Sequence, residues 1–180
     1  MQEQKLYAVV KRFLEDQFNC VATKLTVGPH YGIIDVVGLR YSSNRYGGIA
    51  ELMAVEVKPS GANFLKSLGQ ALGYSLMADR TYLALFAPSG ITEQQKEMAT
   101  QLNVGLIRIR DRTCHLELSS PLHRPWRPYK LALMRKLDYV ECVLCRRPVA
   151  RDDVKADYWI SVNEQNQHRY ICPECKGQIS

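Results

Sequence analysis

The sequence contains no apolar run approaching the roughly eighteen residues that a membrane-spanning helix needs. It has no GxxxxGK[ST] phosphate loop, so no nucleotide-driven motor resides in it. Internal repeats and low-complexity tracts are also missing. Its start, MQEQKLYAVVKRF, sets charges too close to the apolar residues for the hydrophobic region of a secretion signal. Secretion is therefore not expected. Apolar residues make up 46% of the 180 and charged residues 23%, an ordinary globular balance that argues against a disordered chain. That length allows one compact core and a small appendage.

The formal charge of +6 is unevenly placed. Residues 1–107 carry 10 basic and 9 acidic groups, and residues 137–180 carry 6 and 7. Residues 108–136 carry 8 basic and only 2 acidic groups, so the whole excess lies there. This stretch holds Arg108, Arg110 and Arg112, then HRPWRPYK from His123 to Lys130. Pro121, Pro125 and Pro128 predict an extended path for the second part. Trp126 and Tyr129 interleave with Arg124, Arg127 and Lys130. Cationic side chains contact phosphates and aromatic rings stack on bases, so this pattern suits a nucleic-acid strand. A linker docked on the protein through Trp126 is the compatible alternative.

Four of the six cysteines form two pairs, Cys142-Val-Leu-Cys145 and Cys172-Pro-Glu-Cys175. A two-residue gap lets both thiolates of a tight turn reach one ion, and Zn²⁺ takes four thiolates in a tetrahedron. Each pair follows a strand-like run, and YWISV between them adds a third, as in a zinc ribbon. The spacing leaves no open ligand position, so this zinc is structural. Two disulfides, redox pairs or an iron–sulfur cluster are the alternatives. Cys20 and Cys114 read as ordinary thiols.

Ahead of the basic stretch, apolar periodicity predicts a helix over 4–19 and a short strand over 21–27. Strands follow from Gly32 and over 49–58, with turns at 28–32 and 42–48. A helix over 62–78 should bury Leu65, Leu68, Leu72 and Leu76. Then come a strand from Thr81, a helix from Ile91 with Thr92 as its cap, a strand from Gly105 and an edge strand near 116–118. The order predicts an α/β fold with a mixed central sheet flanked by helices.

Asp35 lies in an otherwise apolar strand, where a carboxylate is costly unless paired, hydrogen-bonded or bound to metal. The next strand carries Glu56-Val57-Lys58, and the two-residue strand period puts Glu56 and Lys58 on one face. Asp35, Glu56 and the Val57 carbonyl would offer hard oxygens suited to Mg²⁺. A metal-bound water could then attack a phosphodiester, with Lys58 orienting it or neutralising the transition state. A buried Asp–Lys ion pair with a structural Glu is the alternative. Lys66, Gln70 and Tyr74 are spaced by four along the following helix, in a stripe able to face this site and the DNA backbone. His30 lies in the turn before Asp35 as a candidate proton shuttle or plain turn residue. His115, His123 and His168 have no partner that spacing reveals.

Together, Ile34-Asp35, Glu56-Val57-Lys58 and Gln70-Ala-Leu-Gly-Tyr74 resemble the motifs of the PD-(D/E)xK nuclease superfamily. The last resembles the QxxxY motif of its RecB-type members. The similarity covers roughly residues 4–110, with Ile34 standing where the family name has proline. It implies a restriction-endonuclease-like core over 1–118 that hydrolyses DNA with Mg²⁺ or Mn²⁺. Asp35 and Glu56 would be metal ligands, Lys58 the catalytic lysine, and Gln70 and Tyr74 helix residues that steady the site. Glu15 resembles the helical glutamate that many members place before the first strand. Residues 119–136 would be a basic proline-rich linker, with Lys66, Arg124, Trp126, Arg127 and Lys130 contacting DNA. Residues 137–180 would be a Zn²⁺-bearing docking ribbon. The reading implies a structure-directed deoxyribonuclease of DNA repair, recombination or mobile-element processing, cytoplasmic or nucleoid-associated. The resemblance allows a homodimer and implies no membrane partner. A non-catalytic nucleic-acid adaptor, an RNA nuclease or a structural zinc protein are the rival classes.

Overall fold

The computed structural model describes residues 3–28, 32–44, 47–154, 156–162 and 165–176. Helix α1 (Glu3–Phe18) leads into strands β1 (Ala22–Val27), β2 (Ile34–Asn44) and β3 (Gly47–Lys58), an antiparallel meander. Helix α2 (Phe64–Gly73) and a tight turn of helix at Tyr74–Leu76 connect to β4 (Arg80–Phe86). Helix α3 (Glu93–Gln101) connects to β5 (Gly105–Arg110). Both crossovers join parallel strands, and β6 (Thr113–Leu118) returns antiparallel to β5. The result is a six-stranded mixed sheet ordered β1-β2-β3-β4-β5-β6.

Strand alternation in β3 divides the core. Met53, Val55 and Val57 face Leu6, Val10 and Leu14 of α1. Ala50, Leu52 and Ala54 face the other way, onto Tyr74 and onto Leu133, Met134 and Leu137. Leu68 and Ala71 of α2 and Ala99 of α3 cover Leu83, Leu85 and Leu106. Thr92 caps α3 reciprocally: its hydroxyl accepts from the Gln95 N–H, and the Gln95 side chain accepts from the Thr92 N–H.

Three expectations need correction. The polar stretch 42–48 is not a broad turn, because β2 and β3 stay paired as far as Asn44 and Gly47. Helix 62–78 ends at Gly73, and its buried residues are Ser67, Leu68 and Ala71, continued by Tyr74 in the tight turn. Leu65 and Leu76 are 62% and 61% exposed, because the buried arc lies on the Tyr74 side of the helix. Finally, the basic stretch is not extended throughout. Arg127–Lys136 is helix α4, with Pro128 in its first turn, where a missing N–H costs nothing. Its Leu133 and Met134 are fully buried, so it belongs to the core's packing.

Beyond α4, β7 (Tyr139–Glu141) pairs with β8 (Pro148–Ala150), and β9 (Ala156–Val162) pairs with β10 (Gln165–Ile171). A four-residue helix, α5 (Pro173–Lys176), follows. This segment is tied to the main sheet: the Lys24 ammonium lies 3.7 Å from the Asp138 carboxylate, and Arg147 lies 5.6 Å over the Tyr41 ring. No helix among the described residues is long and apolar enough to cross a membrane.

Candidate functional site

The acidic residues meet where β2 and β3 stop pairing. The last paired rung is Val36 with Val55. Beyond that rung, Asp35 lies near enough to Glu56 for the Glu56 charge to act on it. Asp35 takes over part of the ladder: its Oδ2 accepts from the Val57 N–H at 2.8 Å. A strand residue's N–H and C=O point to the same neighbour, so the Val57 carbonyl also lies on the Asp35 side. The other oxygen, Oδ1, accepts from the Tyr7 hydroxyl at 2.8 Å.

The opposite neighbour also gives way here. In β1, Leu25 pairs with Val36 and Val27 with Ile34, but Thr26, the rung facing Asp35, is unpaired. Thr26 has φ of 54°, a left-handed conformation that a β-branched residue adopts only under strain. The β2 ladder is thus loosened on both sides of Asp35.

Glu56 is 2% exposed and both its oxygens are occupied. Lys58 Nζ lies 2.6 Å from Oε1, confirming their common face, and the Tyr74 hydroxyl contacts Oε2. That hydroxyl also lies 2.9 Å from the Ile33 carbonyl, so one phenolic proton sits between two acceptors. Burial, then the hydrogen bond and charge of Glu56, push the Tyr74 phenol above its ordinary range. Burial raises the Asp35 carboxyl as well. The Val57 N–H opposes this, and the nearby Glu56 charge adds to it.

The other expected residues divide clearly. Gln70 is exposed and lines a cavity beside Tyr74. Lys66 and Arg124 are exposed. Trp126 is also exposed, and it starts α4. Arg127 is paired with Glu141 at 2.9 Å. Lys130 is a correction: its ammonium bonds the Ala50 carbonyl at 2.6 Å and Asp79 at 2.8 Å, and its side chain is 15% exposed. It is a half-buried structural cation, because the start of α4 turns it toward the core. Glu15 is likewise displaced from the site. It pairs with Lys11 at 2.8 Å and accepts from Thr23, contacts that hold its carboxyl below the usual range. Tyr7, about 12 Å earlier along α1, occupies the position facing Asp35. Nothing in the sequence marks Tyr7, since a lone tyrosine on an amphipathic helix looks like core. His30 lies outside the described residues.

The second cluster is formed by Cys142, Cys145, Cys172 and Cys175, whose sulfurs all lie within 4.8 Å of one another. All four are free thiols. Cys145 and Cys172 sulfurs are 3.7 Å apart. A disulfide needs about 2.05 Å, whereas the edge of a tetrahedron with Zn–S bonds of about 2.3 Å is about 3.8 Å. The first pair sits in a turn closed by Arg146 N–H donating to the Cys142 carbonyl, with Arg146 at φ 63°. The second pair opens α5. Val143 N–H donates to the Tyr170 carbonyl and brings the pairs together. Burial alone would push the Cys142 thiol up. Backbone N–H groups of Cys145, Cys172 and Leu144 outweigh it and hold that thiol near about 7. The four thiols are therefore placed to hold one structural metal ion, and the donor set fits zinc.

No family model matches the chain, and no curated protein matches it in sequence. Among solved structures it is similar to a protein of unknown function from Silicibacter pomeroyi, at 19% identity and a TM-score of 0.52. The match covers 76% of this chain and 84% of that one. This likeness concerns the fold alone.

Proposed function

We propose that the chain is a divalent-metal-dependent deoxyribonuclease of the PD-(D/E)xK type, with a restriction-endonuclease-like core and a structural zinc ribbon. One observation carries the reading: Asp35, Glu56, Lys58 and the Val57 backbone converge where β2 leaves β3. A fold-stabilising ion pair alone would not need a second buried carboxylate against the first.

Asp35, Glu56 and the Val57 carbonyl would hold Mg²⁺ or Mn²⁺, and this oxygen-only donor set fits such hard cations. When bound, the ion would lower the pKa of a water and screen charge on the scissile phosphate. Tyr7 and the Val57 N–H fix the Asp35 carboxylate, so its direction is set before substrate arrives. Tyr74 fixes Glu56 from the helix side. Lys58 holds a positive charge beside Glu56, positioned to stabilise a phosphate or orient the attacking water. Arg124 and Lys66 offer exposed charges for the DNA backbone.

A cleavage panel tests this. Single strands, duplexes, flaps and four-way junctions are incubated with Mg²⁺, with Mn²⁺ and with neither. Metal-dependent cleavage is expected, and Asp35→Ala, Glu56→Ala or Lys58→Ala should each slow it on the order of 10³-fold. Wild-type rates in Asp35→Ala would overturn the assignment. DNA binding without any cleavage would favour a non-catalytic adaptor.

A further inference from the structure

Next to the carboxylate site lies a cavity of about 550 Å³ that the proposed chemistry leaves unused, a size suited to a small organic group. The two meet at Tyr74, which lines the cavity and whose hydroxyl contacts both Glu56 and the Ile33 carbonyl. Ile33 and Leu76 also line the cavity, yet they are 63% and 61% exposed. Tyr129 supplies an aromatic wall. Trp126 adjoins it, its ring centroid 4.6 Å from that of Tyr129 and its backbone N–H donating to the Leu76 carbonyl. Single exposed apolar residues are unremarkable, but a cluster around one cavity marks a binding surface. Gly69 and Gly73 form the helix side, and a Cβ added at either would meet nothing within 4 Å. Gln70 places one amide, both donor and acceptor, on the cavity's edge.

We propose that this cavity binds an unpaired base of the DNA strand whose phosphate the carboxylate–lysine site engages, an inference that rests on the nuclease reading above. The walls provide aromatic and apolar faces for stacking. Gln70 matches the mixed donor and acceptor edge of a base. Exposed Lys66, on the same helix, and Arg124, two residues before Trp126, supply the charge that a strand's phosphates need. A base stacked inside an intact duplex cannot enter such a cavity without leaving the stack. The substrate class is therefore DNA with unpaired nucleotides: a single strand, flap, gap or frayed end.

The test uses the full zinc-bearing chain without Mg²⁺ or Mn²⁺, so that binding is read apart from cleavage. The probes are an oligonucleotide with 2-aminopurine in a single-stranded tail, the matching blunt duplex, and an RNA version of the tail. Gly69→Leu fills the cavity and favours the helix. It should weaken tail binding about tenfold or more and abolish the 2-aminopurine change, with duplex binding altered less than about twofold. Trp126→Ala, at an exposed position, should weaken tail binding less, and it serves as the second variant if Gly69→Leu does not fold. Unchanged tail binding in a folded Gly69→Leu, or in Trp126→Ala where Gly69→Leu does not fold, overturns the proposal. An equal response to the RNA tail overturns the choice of DNA. The nuclease reading fails separately. If the wild type cleaves nothing yet loses tail binding on filling the cavity, base binding stands and catalysis falls. If it cleaves blunt duplex as fast as tailed DNA and filling has no effect, catalysis stands and base binding falls.

Discussion

The chain has two candidate metal regions, and they are built in opposite ways. In the cysteine cluster, four thiols come from two tight turns and converge on one another, on backbone N–H groups and, at Cys172, on Glu174. In the carboxylate site, Asp35 and Glu56 come from the ends of two strands, and every carboxylate oxygen already has a protein partner. The first arrangement rests on a small apolar cluster, Val140, Val149 and Ile171, and on two short strand pairs. The second is held by the sheet and the helices through the partners of Asp35 and Glu56. A structural ion would complete the former's fold, whereas the latter is the site proposed above for an exchangeable divalent ion.

Removing zinc should give the largest effect and is the harshest test of that contrast. A small ribbon with metal at its centre draws roughly 10 kcal/mol or more from binding. A strong zinc chelator, or Cys142→Ser, should unfold the segment around β7–β10 while amide signals of the main sheet persist. Metal analysis should return about one zinc per chain. Collapse of both regions together would erase the distinction. Disulfides in the native protein would replace it with another.

The basic stretch sharpens the comparison at smaller magnitude. Lys130→Met would leave Asp79 buried without its cation, although Asp79 would still accept from the Leu52 N–H. Breaking such a pair should cost about 3 kcal/mol, read by urea denaturation. Arg124→Ala should cost less than about 0.5 kcal/mol. It should nevertheless lower the slope of log K against log salt by roughly 0.9 on duplex DNA. Equal stability losses in the two variants would refute the separation of structural from phosphate-facing cations.

Asp35 should give a small stability effect of the opposite sign. Its carboxyl is raised in the folded protein, so the folded state binds its proton more tightly than the unfolded chain. Stability from this group is then greatest below the unfolded value and falls as pH rises through the folded one. Asp35→Asn removes that loss. Without added Mg²⁺ at neutral pH it should melt at a higher temperature than wild type. The advantage should vanish at a pH below both values. A lower melting point at neutral pH would show that the carboxylate's hydrogen bonds outweigh its burial.

Much of this architecture was legible in the sequence. The order of elements, the mixed sheet, the Thr92 cap and the four cysteines follow from spacing, because periodicity and two-residue gaps act locally. Glu56 and Lys58 share a face for the same reason. What escaped was set by tertiary register. Tyr7 reaches Asp35 only because α1 crosses the sheet where β2 and β3 part. Lys130 reads as a DNA contact among arginines, yet a helix begins there and turns it toward Asp79. Buried Glu51, held by Arg40 and Arg80, carries no local signature at all. Leu65 and Leu76 look like core by composition, but the tight turn after Gly73 and the position of Tyr74 choose another arc.

The most direct test of the central claim is Mn²⁺ titration of the zinc-loaded chain, followed by the electron paramagnetic resonance of free Mn²⁺. The account predicts saturable binding in the wild type, lost in Asp35→Ala and Glu56→Ala and kept in Lys58→Ala, with zinc content unchanged throughout. Mn²⁺ binding of equal strength in Asp35→Ala and Glu56→Ala would contradict it.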